Sequence, residues 1–228
     1  MTTDRQVKAV VRPLLARHSD LFYVRRTLCI RPVRHFARMV LFDACSSADI
    51  CVPQWILLNT FLPTVRVASI IGRCSDDLTP PEPRGGLWCW SDPTMAGALA
   101  ERVDAFALPL LRSLDTFERS LWFGIGHMTQ RGTLDPSERV VMDIASGDLD
   151  AARRIWGKVG RSYVPGEVLR WTGLQPRYDQ YCRIGPLLLA DDRPALSKLL
   201  HEWEAANMRG SPLEPHWEPT PFPLDAGL

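Results

Sequence analysis

The 228-residue sequence lacks the features that mark membrane and secreted proteins. No apolar run approaches the roughly 18 residues that a membrane-spanning helix needs. The first residues, MTTDRQVKAVV, interrupt their apolar positions with charged side chains, unlike a signal peptide. These absences predict a cytoplasmic protein with no membrane partner.

Paired cysteine motifs are also missing. The six cysteines include no CxxC pair, and Cys45 and Cys51 are separated by five residues with no second pair nearby. Zinc and iron–sulfur sites usually place two ligands within one tight turn. We therefore expect buried reduced thiols, no bound metal and no other cofactor.

Motifs of common catalytic chemistry are absent as well. The sequence has no GxxxxGK[ST], HExxH or GxSxG, and the glycines of FGIGH lack the spacing of a dinucleotide fingerprint. His35 and Cys45 fall on one predicted strand, about 33 Å apart if it is straight, which argues against a Cys–His pair. An enzyme of unknown class is therefore the third of our three functional hypotheses.

What the sequence does contain is an ordinary globular composition with an uneven charge distribution. Hydrophobic residues make up 46% of the chain and charged residues 23%, so it can bury a substantial core. Residues 1–40 carry nine basic and two acidic side chains, whereas the remainder carries 18 basic and 24 acidic ones. The basic segment could bind an acidic partner or pair with the rest of the chain.

Two hydrophobic periods divide the first part of the chain. Thr3 and Gln6 have capping-box spacing, and apolar residues then follow at helical intervals around Pro13, where we expect a kink or a break. From Leu21 to about Ile71 the period is two, in the runs LFYVRRTLCI, HFARMVLFDA, VPQWILLNTFL and VRVASIIG. Their short connections predict about four antiparallel strands.

The segment SDDLTPPEPRGG predicts a loop because of its prolines and glycines. In the following WCWSDP, Trp88 and Trp90 share one face of an extended segment, where they either seal a core or stack a ligand ring. A helix should follow over Met95–Leu110, bent or ended by Pro109.

A further short helix should begin at Asp115 and end at the GIG of residues 124–126. The break from Gly124 to Thr133 is the predicted boundary, so that residues 1–123 form a sheet domain and residues 134–209 a helical subdomain.

Two segments of the helical subdomain are similar in outline. DIASGDLDAARRIW begins at Asp143, and LLLADDRPALSKLL begins at Leu187. Gly147 should end one helix and Asp148 should cap the next, and Asp191 and Asp192 should do the same in the second copy. The pattern predicts two helical hairpins of similar construction, too few for a solenoid.

Residues 210–228 are rich in proline and are predicted to form an extended tail. Trp217 and Phe222 in this tail are costly to leave in water. We expect the tail to dock on its own chain, and a recognition segment for a partner groove is the alternative.

The order of these elements resembles a bacterial family of domains of unknown function over residues 5–123. The resemblance rests on the amphipathic first helix, F-Y-V-R-R in the first strand, three further antiparallel strands, W-C-W-S-D-P and a helix containing A-L-P-L-L. Members are small α+β proteins, and some are found among candidate immunity proteins of polymorphic toxin systems. The resemblance implies a protein partner and supplies no catalytic residues.

Together these patterns predict an α+β fold. An approximately four-stranded, mostly antiparallel sheet should be covered on one face by the helices around Val7–Leu15 and Met95–Leu110, and the helical C-terminal subdomain should follow. The expected function is a non-enzymatic protein-binding module of immunity or accessory type.

Nucleic-acid binding through the basic strands of residues 23–38 is the alternative function. Arginines would contact phosphates and an aromatic side chain would stack on a base. The candidate binding residues are Tyr23, Arg25, Arg31, Arg34, Arg38, Trp88 and Trp90.

Overall fold

A computed structural model of the protein describes residues 2–44, 48–63, 73–81, 86–167 and 174–227. These residues fall into two compact units. The sheet unit is drawn from Met1–Leu58, Arg73–Ser120 and Pro215–Glu218, and the helical unit from Asn59–Gly72, Leu121–Glu214 and Pro219–Leu228. The α+β class is confirmed, whereas the domain boundaries expected after residues 123 and 209 stay predictions.

The sheet is antiparallel in its assigned strand pairs, as predicted, but has six strands among the described residues instead of about four. Its order is β1-β2-β3-β4-β5, and β6 also pairs with β4. The strands are β1 Leu21–Val24, β2 Thr27–Ile30, β3 Phe36–Ala44, β4 Ile50–Asn59, β5 Arg73–Asp77 and β6 Trp88–Cys89.

The run LFYVRRTLCI forms a hairpin instead of the single predicted strand. Val24 pairs with Thr27, so Arg25 and Arg26 make a two-residue turn with φ of 44° and 64°. Left-handed φ at both positions is the geometry that suits the twist of a tight hairpin, and Asn-Gly usually supplies it. Two arginines give no such signal, which is why the turn was missed.

Strand β5 lies in a segment for which the sequence predicts a loop. The segment SDDLTPPEPRGG was predicted as a loop, but Ser75, Asp76 and Asp77 belong to β5 and pair with β4. The predicted strand VRVASIIG lies outside the described residues.

Helix α1, Asp4–Arg17, begins with the predicted capping box of Thr3 and Gln6. It continues through Pro13, so of the two outcomes expected there, a kink or a break, the break is wrong. Its apolar side buries Val7, Val10 and Leu14, and α1 contacts β1. The helix therefore packs against the sheet through β1, and the coverage of one face by this helix together with Met95–Leu110 stays a prediction.

Pro109 neither ends its helix nor leaves it regular. Helix α2, Met95–Arg102, continues into a π-helical turn at Val103–Ala107 and then into α3, Leu108–Ser113. Proline lacks an amide hydrogen and its ring clashes with the carbonyl four residues earlier. The wider turn just before Pro109 relieves this conflict.

Helix α4, Phe117–Gln130, runs through Gly124 and Gly126. The prediction that GIG ends this helix is therefore wrong. Glycine lowers helix propensity by only about 1 kcal/mol, and packing of buried neighbours such as Leu121 and Ile125 outweighs that.

The helical unit contains the two predicted hairpins. Asp148 caps the helix Leu149–Val159 and Asp192 caps the helix Arg193–Met208. Gly147 and Asp191 adopt the left-handed conformation just before these caps, with φ of 85° and 54°. The helices are α5 Pro136–Ala145, α6 Leu149–Val159, α7 Gln175–Cys182, α8 Ile184–Leu189 and α9 Arg193–Met208.

The C-terminal tail is docked on its own chain, but it is only partly extended. It contains 3-10 turns at Glu214–His216 and Pro223–Gly227. In the sheet unit, Val33 donates its amide to the His216 carbonyl at 3.0 Å and accepts from the Glu218 amide at 2.8 Å. In the helical unit, Phe222 is 1% exposed and packs against Phe61 and His201.

Candidate functional site

The aromatic residues predicted to stack a base are engaged within the sheet unit. The Tyr23 hydroxyl donates to Asp4 Oδ1 at 2.7 Å, and burial together with Asp4 raises the pKa of Tyr23 to about 12. Trp88 is 4% exposed and donates its indole N–H to the Leu78 carbonyl at 2.5 Å. The half-buried Trp90 donates to Thr2 at 3.1 Å. Of its two predicted roles, Trp88 therefore seals the core and does not stack a ligand ring.

The predicted arginines do not form one cluster. Arg25 lies in the β1–β2 turn, whereas Arg31 follows the opposite end of the hairpin and its guanidinium lies over Phe22. Arg34 contacts Glu218 at 3.3 Å. The half-buried Arg38 lies on β3 with no hydrogen bond to a described residue, and burial lowers its pKa.

The described residues offer little support for the catalytic and metal-binding candidates. His35 is buried, edge-to-face with Phe117 at 5.5 Å, and Cys45 lies outside the described residues. Across the described ranges, no cluster of three or more His, Cys, Asp or Glu side chains could hold a metal ion. No helix in that part of the chain is long and apolar enough to cross a membrane.

An exposed aromatic residue with an ordered arginine marks the surface of the helical unit. Trp122 on α4 is 53% exposed, and the Arg139 guanidinium of α5 lies 5.7 Å from its ring centroid. Arg139 Nε donates to Asp143 Oδ1 at 2.7 Å, one turn along the same helix. Because the Asp143 side chain is only 1% exposed, it holds the arginine in one orientation beside the indole.

Burial and ion pairing act on the Asp143 carboxyl group in opposite directions. Burial raises the pKa of Asp143, and the hydrogen bond and charge of Arg139 oppose that shift. Asp143 Oδ2 is buried and accepts no hydrogen bond from any described residue. Removing Arg139 would leave this buried carboxylate without its hydrogen-bonded ion-pair partner, so the pair is costly to break.

A small cleft of about 120 Å³ also lies within the helical unit. Helix α7 contributes Arg177 and Gln180, α9 contributes Trp203 and Asn207, and Pro63 and Pro176 add apolar walls. Small-molecule pockets usually enclose roughly 300 to 1,000 Å³. The cleft therefore suits a group of side-chain size.

Among the described residues that line this cleft, Arg177 is the only cationic one. Its Nη2 donates to Glu138 Oε1 at 2.8 Å and to the Tyr181 hydroxyl at 3.2 Å. Its Nε is fully buried and has no acceptor among the described residues. Burial raises the pKa of Glu138, although the Arg177 charge opposes the shift.

Three hydrogen bonds fix the opposite side of the cleft. The Trp203 indole donates to Gln180 Oε1 at 2.8 Å, and Asn207 Nδ2 donates to the Thr60 and Leu62 carbonyls at 2.7 Å. Trp203 and Asn207 are both buried. These contacts hold the wall in place before any ligand arrives.

Sequence reasoning missed both features. Glu138 pairs with Arg177, 39 positions away, and no short-range pattern indicates that contact. The i, i+4 spacing of Arg139 and Asp143 was visible and indicates a helical ion pair. Nothing in the sequence indicated that Trp122 would be exposed.

Neither the family models nor the curated proteins nor the solved structures contain a match to this chain. Its function must therefore be argued from these side chains.

Proposed function

We propose that the protein is a non-enzymatic protein-binding module of immunity or accessory type, working in the bacterial cytoplasm, and that it contacts its partner through Trp122 and Arg139. The observation that carries the proposal is the exposed Trp122 indole with a guanidinium held beside it by a buried carboxylate. Tryptophan and arginine are enriched among the residues that dominate interface energies. An ordered arginine also loses less side-chain entropy on binding.

The immunity or accessory type follows from the resemblance of residues 5–123 to the bacterial family named above. An immunity protein acts by occupying a surface of its toxin, so it needs a stable contact area and no catalytic group. The Trp122 and Arg139 pair meets this need, because its two side chains are positioned before the partner binds.

The test compares the wild type, Trp122→Ala and Leu189→Ala as baits in extracts of the source cells. Leu189 is a matched control because it is 72% exposed on another helix. We expect a partner that wild type and Leu189→Ala retain and Trp122→Ala loses. With that partner purified, calorimetry should show at least about 30-fold weaker binding to Trp122→Ala. Equal affinity of wild type and Trp122→Ala would refute the proposal.

Nucleic-acid binding is the second candidate, because Arg25 and Arg31 are exposed and Arg38 makes no hydrogen bond to a described residue. Such binding would depend on phosphate contacts, so its affinity should fall with salt at a slope of roughly −0.7 per neutralised phosphate on single strands. Gel-shift titrations at two salt concentrations test it. If no binding is detected at micromolar protein concentrations even at low salt, this function is excluded.

A further inference from the structure

We infer that the protein binds the phosphate backbone of double-stranded nucleic acid, without reading its bases, through a basic surface of the sheet unit. This inference does not depend on the proposed contact at Trp122. It deepens the second candidate function, because it names the class of nucleic acid and a different surface. That surface, the basic patch, belongs to helix α1 and the β1–β2 turn and consists of Arg5, Lys8, Arg12, Arg25 and Arg26.

The first argument is that few basic residues in the first 40 are paired with the rest of the chain. Among the described residues, only Arg17 and Arg34 form ion pairs with acidic side chains beyond residue 40. Arg17 contacts Asp104 at 2.6 Å, and Arg34 contacts Glu218 at 3.3 Å. Internal pairing therefore accounts for a small part of the basic charge, and most of it is left for an acidic partner.

The second argument is that folding gathers the basic patch on one surface. Arg5, Lys8 and Arg12 are exposed and lie three and four positions apart on α1, so they share one face of the helix. The β1–β2 turn lies beside the start of this helix, because the Tyr23 hydroxyl donates to Asp4 at 2.7 Å. The two arginines of the turn therefore extend the basic face of the helix.

Little acidic charge offsets the basic patch. Lys8 contacts Asp4 at 2.6 Å, whereas the other four members make no side-chain hydrogen bond or ion pair to a described residue. The hydrogen bond from Lys8 and the charge of Arg26 both lower the pKa of Asp4, so this carboxylate stays ionised and neutralises one cation. Five positive charges against one negative charge leave an excess of four.

The third argument is the chemistry of the surface. Four of the five side chains are arginines, whose planar fork of N–H donors matches a phosphate group. None of the large apolar side chains that the described residues expose lies on α1 or the turn, so the patch has nothing to insert into a bilayer. Single-strand binding proteins stack bases on aromatic rings, but Tyr23 is half-buried and bonded to Asp4. The patch therefore suits a duplex backbone.

The dimensions agree with this ligand. Arg5 and Arg12 are seven residues apart, which is about 10 Å along a helix. That length spans about three phosphates of one strand of a DNA duplex, at about 3.4 Å each. With the turn included, the patch can neutralise up to about five phosphates.

Fluorescence anisotropy with a short labelled DNA duplex tests the inference. We expect a micromolar Kd at about 50 mM salt and a fall in affinity with salt at a slope of about −0.9 per phosphate, up to about −4.5 for five contacts. Two duplexes of unrelated sequence should bind equally. Tighter binding of an RNA duplex or of the DNA duplex assigns the site to that nucleic acid. Tighter binding of a single strand, or no duplex binding at micromolar protein, would overturn the inference.

A triple variant tests the surface. Arg5→Ala, Arg12→Ala and Arg25→Ala together remove three exposed side chains that have no partner among the described residues, so the melting temperature should not change. Duplex binding at low salt should weaken at least about tenfold, and the salt slope should become shallower by about 2.7, for three lost phosphate contacts.

The matched control removes the same charge from the helical unit. It replaces with alanine three basic residues that are exposed there, Lys158, Arg161 and Arg209. This control should keep the wild-type salt slope. Equal weakening in both triple variants would show that only net charge matters and would contradict the site.

Two further comparisons separate the patch from its alternatives. Arg31→Ala combined with Arg38→Ala should leave duplex binding unchanged, and a loss of binding there would move the contact to the strands and overturn the inference. Vesicles containing phosphatidylserine that bind the protein when the duplex does not would also overturn it, in favour of a membrane surface. Trp122→Ala should bind the duplex as the wild type does, so failure of duplex binding leaves the proposal for Trp122 untouched.

Discussion

Replacing Gly185 by alanine should destabilise the helical unit, even though alanine is the better helix former. Gly185 is buried in the first turn of α8. A Cβ atom built there would lie 2.8 Å from Cζ2 and 3.1 Å from Nε1 of Trp156. Carbon atoms in contact normally lie about 3.5 to 4.0 Å apart. One of the two residues must therefore move.

Trp156 has little room to move. A Cβ atom at Gly160 would lie 2.6 Å from the same indole nitrogen, so backbone approaches the ring there too. The Tyr163 ring is stacked on the indole with centroids 5.6 Å apart and an interplanar angle of 17°. Trp156 is also 7% exposed, which means that no open space lies beside it for a new rotamer.

The magnitude follows from two opposing effects. Overpacking a well-filled core costs about 1 to 3 kcal/mol, and replacing glycine by alanine in a helix returns at most about 1 kcal/mol. We expect Gly185→Ala to lose up to about 2 kcal/mol. In Gly157→Ala, on α6, the new Cβ meets no atom within 4 Å, so this control should gain about 0.5 to 1 kcal/mol.

Urea denaturation of both variants measures the difference. Combining Trp156→Phe with Gly185→Ala should recover part of the loss, because the smaller ring leaves space for the methyl group. A double-mutant cycle then gives a coupling energy between the two positions. If Gly185→Ala proves as stable as Gly157→Ala, the packing argument is wrong.

Three other outcomes are expected. Phe222→Ala should lower the free energy of unfolding by about 2 to 4 kcal/mol because the ring is 1% exposed, and equal stability in denaturant would show that the tail is not docked. Arg25→Asn combined with Arg26→Gly should gain about 1 kcal/mol by removing strain at positive φ, and an unchanged urea midpoint would contradict it. Folding raises the pKa of Tyr23 from its ordinary value of 10.0 to about 12, and this shift stabilises the folded state. The contribution is complete below pH 10.0 and is lost as the pH rises to about 12. Tyr23→Phe should therefore lose less stability than the wild type over that pH range.

Short-range signals in the sequence were reliable wherever a backbone amide had to be capped. The capping box at Thr3 and the caps at Asp148 and Asp192 depend on groups within three residues of each other. Their energies favour the same local structure in almost any surrounding fold. The two helical hairpins and the start of α1 were therefore predictable.

Features that depend on packing were not predictable from local pattern. Arg25 and Arg26 lack the usual turn chemistry, and the pairing of β1 with β2 imposes the turn on them. Helix α4 continues past Gly124 because its buried side holds it. In both cases, tertiary contacts outweigh a local preference of about 1 kcal/mol.

The candidate sites were decided by tertiary structure alone. Arg177 meets Glu138 across 39 positions, and Trp122 and Arg139 meet across 17, from different helices. The residue types were visible in the sequence, but which donors stay unsatisfied depends on which neighbours folding brings near. By itself the sequence determined the α+β class, the antiparallel pairing and the capped helices, because those follow from periodicity and local hydrogen bonds. The fold alone decided which guanidinium keeps a buried donor without an acceptor among the described residues and which tryptophan is exposed, because burial is a property of the whole packed chain.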